Sequence, residues 1–240
     1  MAPAPRFSCE QQEKMILNAA VTAIEESTLL DFSMSAIAKL AGLSMGSVYK
    51  FVQCKEDVLV ALATKMYQER QQVFKQVLSL PLTTPERIIA NSLLDFSKVQ
   101  MYSFDDQLES IVNTRAMMKR CSRRWIDQMI ACGKVCEELF QGFLQAAADS
   151  GELNAGSNDI EEISLGTWSL AVGYFQTVRL HQCWQNDACL ETDAKLSALP
   201  ADNVHIRSMQ RLINTYDWQQ KVRDDDMLKV CQCLAEQGLR

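Results

Sequence analysis

The chain lacks most of the features that announce a function. No stretch approaches the ~18 consecutive apolar residues of a membrane span, so no membrane partner is expected. The opening residues, MAPAPRFSCEQQ, hold no apolar core of a signal peptide, which points to the cytoplasm. Histidine occurs only at His181 and His205, and no zinc-ligand spacing, nucleophile elbow or phosphate loop is present. No catalytic residue, metal or cofactor is therefore expected. Positive charge is also in deficit: the 240 residues carry a net charge of −6. A strongly basic chain would have argued for nucleic acid by itself. Strand alternation is missing too, because the valines and isoleucines recur at intervals of three and four rather than two. An all-α fold follows.

What is present fits a soluble globular protein. The chain is 48% hydrophobic and 22% charged, and long enough for a small domain plus a larger one. Its acid pairs carry no chemistry. Asp105-Asp106 and Glu161-Glu162 sit at expected helix starts, where acids favour the helix dipole, and Glu137-Glu138 reads as a solvated helix face. Nine cysteines, an odd number, suggest free thiols in a reducing compartment. They read first as small buried hydrophobes, with a redox role or zinc as the sharper alternatives.

The informative stretch is Phe32 to Lys55, FSMSAIAKLAGLSMGSVYKFVQCK. Ser33 can cap a helix whose Met34, Ile37, Ala38 and Ala41 share one apolar face. Gly42 suits the left-handed stop of that helix, and Leu43 plugs the turn. Ser44 can cap a second helix whose Val48 and Val52 point back at the first. Ser44, Met45, Ser47, Tyr49 and Lys50 are then left to face outward. That is a helix-turn-helix, and its second helix is the one that enters a DNA major groove. The stretch carries Lys39, Lys50 and Lys55 and no acid, although residues 1–60 as a whole are acidic.

Ala19-Ala20, Ile37-Ala38, Ala41-Gly42-Leu43-Ser44, Gly46-Ser47-Val48-Tyr49 and Lys55-Glu56-Asp57-Val58-Leu59 occur in order. Together they resemble the N-terminal domain of the TetR (tetracycline repressor) family over residues 10–62. One departure is Phe51-Val52, where many members have a His-Phe pair. The resemblance implies a head at 1–54, with a flexible N-terminal arm on which Arg6 can reach a minor groove. It also implies a helical domain at 55–240 that binds ligand and dimerises. The DNA-binding set it implies is Ser33, Ser44, Met45, Gly46, Ser47, Tyr49, Lys50 and Lys55. Ser47, Tyr49 and Lys55 resemble the family's phosphate contacts. Met45, Gly46 and Lys50 are placed for base edges, with Lys50 reading guanine.

The remaining segments read as helices. One begins near Ser8 or Cys9 and ends near Ser27, and Leu29, Leu30 and Phe32 after it should tuck into the head. A long helix runs from Lys55 to near Pro81. Thr84 as cap and Pro85 start a helix to about Tyr102; others are expected at 105–119, from a Ser122 cap to Asp149, and from Ser157 or Asn158 to Trp184. Asp202 can cap a further helix over 203–216, and the tail 221–240 can form an extra one. The helix at 159–184 is apolar nearly all round and should be buried on several sides.

Lys119 to Arg124 is the most basic stretch. It reads as a solvated helix junction or an anionic head-group site, and the resemblance holds it far from the groove. The family's four-helix dimer contact, carried over to 159–184 and 203–216, suggests Gly166, Ala171, Gly173, Tyr174, Met209 and Ile213. An inducer pocket, also implied by the resemblance, would draw on Phe96, Met101, Phe104, Met118, Trp125, Phe140, Trp168 and Phe175.

The function expected is therefore a homodimeric transcriptional regulator that binds double-stranded operator DNA and is released by a small-molecule inducer. The alternative is a helical adaptor or sensor that keeps the fold without operator binding.

Overall fold

The computed structural model describes residues 7–185 and 198–240. The arm with Arg6, the connection at 186–197, Cys189 and the Cys183 side chain lie outside the described residues. Twelve helices are found among the described residues: α1 (Cys9–Glu25), α2 (Met34–Ala41), α3 (Met45–Phe51), α4 (Lys55–Leu78), α5 (Thr84–Leu93), α6 (Phe96–Val99), α7 (Asp105–Val112), α8 (Arg115–Arg120), α9 (Arg123–Asp149), α10 (Asp159–Gln185), α11 (Val204–Ile213) and α12 (Asp226–Glu236). The only extended pairing described is the isolated bridge between Leu153 and Trp218. The fold is all-α.

Packing groups the chain into two units. One is Met1–Glu69 with Met101–Gly133, and the other is Arg70–Gln100 with Lys134–Arg240. The grouping thus differs from a division at 54/55: the first half of α4 and residues 101–133 pack with the head. In the first unit Ile16, Ala20, Ile37, Val48, Val52, Leu62, Met66, Leu108 and Trp125 form one buried cluster. In the second, Val77, Ile89, Leu93, Leu144, Ile163, Ile206, Ile213, Val230 and Leu234 form another.

Several boundaries depart from the sequence reading, each for a local reason. Helix α5 is capped by Thr83, not Thr84, and Glu86 completes the capping box by accepting the Thr83 N–H at 2.7 Å. It stops at Leu93, because Leu94 leaves the helical backbone at ψ 144° and Asp95 caps the short α6. The helix expected at 105–119 is two helices, since Thr114 turns extended and caps α8. Asn203 rather than Asp202 caps α11. Leu30 does not tuck in; it is 75% exposed, while Leu29 and Phe32 are buried.

The tail forms α12. Its Met227, Val230 and Leu234 are buried in the second cluster, and Lys229 pairs with the buried Glu86 at 2.9 Å, so this helix covers the chain's own core.

Candidate nucleic-acid interface

Helices α2 and α3 are built by short-range rules. The Ser33 hydroxyl accepts the Ala36 N–H at 3.1 Å and caps α2. Gly42 takes φ 63°, Leu43 N–H reaches back to Ala38 O and Gly42 N–H to Lys39 O. This double closure is a Schellman stop, and it needs a residue without a Cβ penalty at Gly42. The Ser44 hydroxyl then accepts the Ser47 N–H at 3.1 Å and caps α3, with the Ser47 hydroxyl 3.0 Å away. Val48 is fully buried against the head.

That geometry leaves a polar face outside. Ser44, Met45, Gly46, Tyr49 and Lys50 are exposed and Ser47 is half-buried. A Cβ on Gly46 would meet only the Ser44 hydroxyl, at an ordinary 3.8 Å, so the fold itself does not require glycine there. Ser33 is half-buried and its hydroxyl is engaged as a cap. Lys55 is half-buried as well: its ammonium donates to Leu30 O at 3.1 Å and lies 4.9 Å from the centre of the Phe32 ring. Two of its three N–H donors stay available.

The C-terminal end of α3 is anchored by residues distant in sequence. Asp57, in the first turn of α4, is fully buried. Its carboxylate accepts the Gln53 N–H at 2.9 Å, the Ser122 N–H at 2.7 Å and the Ser122 hydroxyl at 2.9 Å. A buried carboxylate is tolerated when its lone pairs are filled in this way. Ser122 stands just before α9, accepts the Ile126 N–H on its carbonyl at 3.3 Å, and donates its hydroxyl to Asp57. Phe51 packs edge-on against Trp125 at 5.1 Å, and the Trp125 indole N–H donates to Phe51 O at 3.4 Å. Arg120 pairs with Glu56 at 2.7 Å. The basic stretch therefore abuts the end of α3. No sequence signal beyond the capping serine and the arginine run pointed to this anchor.

Two thiols lie in the same region. Burial, helped by the Asp57 carboxylate, pushes Cys54 up to about 11 and Cys121 up to about 12, so both stay protonated at neutral pH. Among the described residues no group of His, Cys, Asp and Glu is arranged to hold a metal ion, and no helix is long and apolar enough to cross a membrane.

The expected ligand residues do not gather in one unit. Met101, Phe104, Met118 and Trp125 belong to the first cluster. Phe96 and Phe140 pack on the second, and Phe175 meets Phe96 edge-on at 5.0 Å. Trp168 is 67% exposed. A surface cleft of about 450 Å³ lined by Arg207, Gln210, Arg211, Asn214, Thr215 and Asp224 includes none of the eight.

The expected dimer residues also separate. Met209 and Ile213 are buried in the chain's own core. Gly166 brings α10 close to α11, since a Cβ there would lie 3.5 Å from Leu212. Ala171 packs on the second cluster and Tyr174 stacks on His205 at 4.4 Å. Only Gly173 is open. Helix α10 is not buried on several sides within the chain: Leu165 and Trp168 are more than half exposed.

No protein-family model matches the chain, and no curated protein matches it. Solved structures do. A TetR-family transcriptional regulator from Cytophaga hutchinsonii superposes with a TM-score of 0.56 at 14% identity, over 90% of this chain and 100% of that one. The TetR-family regulator PfmR from Thermus thermophilus matches at 0.50 and 15%, over 83% and 97%. The fold is that of the TetR family. The transcriptional regulator FadR from Bacillus subtilis, solved in complex with stearoyl-CoA, matches this TetR fold at 0.52 and 17%, over 84% and 95%.

Proposed function

We propose that this chain is a cytoplasmic, sequence-specific DNA-binding transcriptional regulator, a repressor that works as a homodimer and leaves its operator when a small molecule binds. The observation that carries this reading is α3: a short helix capped at Ser44, set off from α2 by the Gly42 stop of that helix, and turning Met45, Gly46, Tyr49 and Lys50 outward. Two such helices would enter successive major grooves of a near-palindromic site, about 34 Å apart or a multiple of that. Lys50 would read a base edge, while Ser47, Tyr49 and Lys55 would fix register on phosphates.

The head at 1–54 would carry the DNA contacts and residues 55–240 the regulation. The dimer would use the outward stripe of α10, Leu165, Trp168, Val172 and Gly173, with Val204 of α11. An exposed tryptophan among apolar neighbours is costly in water and favours a partner. The inducer would be a small molecule with an apolar part, by analogy with the stearoyl-CoA bound to FadR. It can release DNA only by as much as it prefers the released state. No catalytic role is proposed.

An anisotropy titration against the DNA upstream of the gene, at two salt concentrations, tests the reading. The expected result is a saturable, salt-sensitive complex with two subunits per site. If neither that DNA nor any fragment from a genome-wide selection is bound above random sequence, the helical adaptor without operator binding takes its place.

A further inference from the structure

We propose that the basic segment Arg115–Arg124 is a second DNA-phosphate contact, which extends the footprint of the recognition helix onto the flanking backbone. The proposal rests on the DNA-binding reading and adds to it a surface outside the helix-turn-helix. In these ten residues Arg115, Lys119, Arg120, Arg123 and Arg124 stand with no acid. All five are exposed.

The segment belongs to the same packed unit as the head and touches the end of α3. The Arg124 guanidinium lies 5.5 Å from the centre of the Phe51 ring and 5.0 Å from that of Trp125. Cys54 Sγ donates to Arg120 O at 3.5 Å, and Asp57 holds Ser122 through two hydrogen bonds. The segment therefore packs on Phe51, the last residue of α3.

The helix-turn-helix needs such help. DNA presents one negative charge per ~1.7 Å of axis, and affinity rises with the number of phosphates neutralised. Over 32–55 the supply is Lys39, Lys50 and Lys55, and the Lys55 ammonium is partly committed to Leu30 and Phe32.

The junction offers more. Arg115 and Lys119 have no ion pair among the described residues. Arg120 and Arg123 pair with Glu56 and Asp127, but their own side chains are 73% and 84% exposed. The Arg123–Asp127 pair, open at both ends, is weak and readily gives way to a phosphate, whereas Arg120 stays tied to the largely buried Glu56. Arg124 lies against two rings, and that contact restrains its side chain and lowers the entropy lost when its guanidinium meets a phosphate. The five cations are exposed across α8 and the start of α9 and converge on no enclosed pocket among the described residues, which suits an extended polyanion better than a single small head group.

The test is an anisotropy titration of the full chain with a labelled random-sequence duplex of about 40 base pairs, over a series of KCl concentrations. Three variants are compared with the parent chain. The junction variant is Arg115→Ala/Lys119→Ala/Arg124→Gln, the head variant is Lys39→Ala/Lys50→Ala, and the remote control is Lys221→Ala/Arg223→Ala. All of these positions are exposed, and circular dichroism melts check that folding is unchanged.

The expected result is a plot of log K against log salt that is shallower by about one for each contact removed in the junction variant, and unchanged in the remote control. An unchanged slope in the junction variant, with a shallower one in the head variant, overturns the second contact and leaves the DNA-binding reading standing. Equal effects of junction and remote variants also overturn it, since net charge alone would then be responsible. No binding by the parent chain at any salt concentration removes both.

Discussion

Helices α3 and α10 both turn side chains outward, and they do so with opposite chemistry and opposite means of support. Helix α3 has seven residues, shows a polar face and is held from outside itself, by the Ser44 cap, the Phe51–Trp125 contact and the Asp57 anchor. Helix α10 has 27 residues, closes its backbone by its own hydrogen-bond ladder, and leaves Leu165 and Trp168 in water. A seven-residue helix is too short to be stable alone, so its orientation is set by its neighbours. A long helix needs no such setting, and its bare apolar stripe asks for a partner instead. One surface thus suits a charged, hydrated partner and the other an apolar one.

The largest effect expected comes from Trp168→Glu, which should break the apolar half of this contrast. A central tryptophan in an interface contributes more than about 2 kcal/mol. The dimer should therefore dissociate at least about 30-fold more readily in sedimentation, while the monomer's melting temperature hardly moves because the side chain is exposed. An unshifted dimer would place the interface elsewhere. Asp57→Ala attacks the other half. It leaves the Gln53 N–H, the Ser122 N–H and the Ser122 hydroxyl without their acceptor, a loss of about 3 kcal/mol. Denaturant unfolding should show the head weakened and DNA affinity reduced, with the dimer intact in sedimentation. A variant as stable as the parent would show that water replaces the carboxylate.

Acid should act on the second unit through a histidine. Its His205 is buried, with Nε2 3.1 Å from the Ser92 hydroxyl, Nδ1 unpartnered, and the ring stacked on Tyr174. Burial lowers its pKa to about 4, below the ordinary 6.5. The unfolded chain therefore takes up the proton first as pH falls. The stabilisation from neutral His205 is complete above 6.5, declines below it, and is fully lost below 4. At pH 5 the loss is about 2 kcal/mol. The first unit contains no histidine. Melts at pH 7.5 and pH 5 should show this loss in the parent chain and a much smaller one in His205→Gln; equal losses would assign the acid sensitivity to other groups.

The smallest effects belong to a matched pair, Gly46→Ala in α3 and Gly173→Ala in α10. A Cβ at Gly173 meets nothing within 4 Å, and at Gly46 it meets only Ser44 at 3.8 Å. Each substitution should leave the free chain as stable or raise its stability by under about 1 kcal/mol. The first should weaken only DNA binding and the second only the dimer. Crossed effects would mean that the two surfaces are not independent.

What the sequence made legible follows the reach of the interactions. Ser33, Gly42 and Ser44 act on backbone groups within a few residues, so the whole helix-turn-helix could be read from spacing. The acceptor of the Ser122 hydroxyl lies in another helix, and so does the ion-pair partner of Glu86; no local pattern announces either. Periodicity showed that Met209 and Ile213 share an apolar face but not that this face covers the chain's own core. The breaks at Leu94 and Thr114 were missed because apolar spacing continues through both. The resemblance implies a pocket among Phe96, Met101, Phe104, Met118, Trp125, Phe140, Trp168 and Phe175, but no local pattern says which unit each of them joins.

The Asp57 anchor also makes the chain its own reporter. One carboxylate accepts amide protons from Gln53, beside the recognition helix, and from Ser122, at the start of α9. When that carboxylate lets go, both amides meet solvent in the same event. In heavy water they are expected to take up deuterium at a common rate set by a single local opening. A small molecule that loosens the head would quicken both together, so inducers can be recognised by isotope exchange before any operator is known.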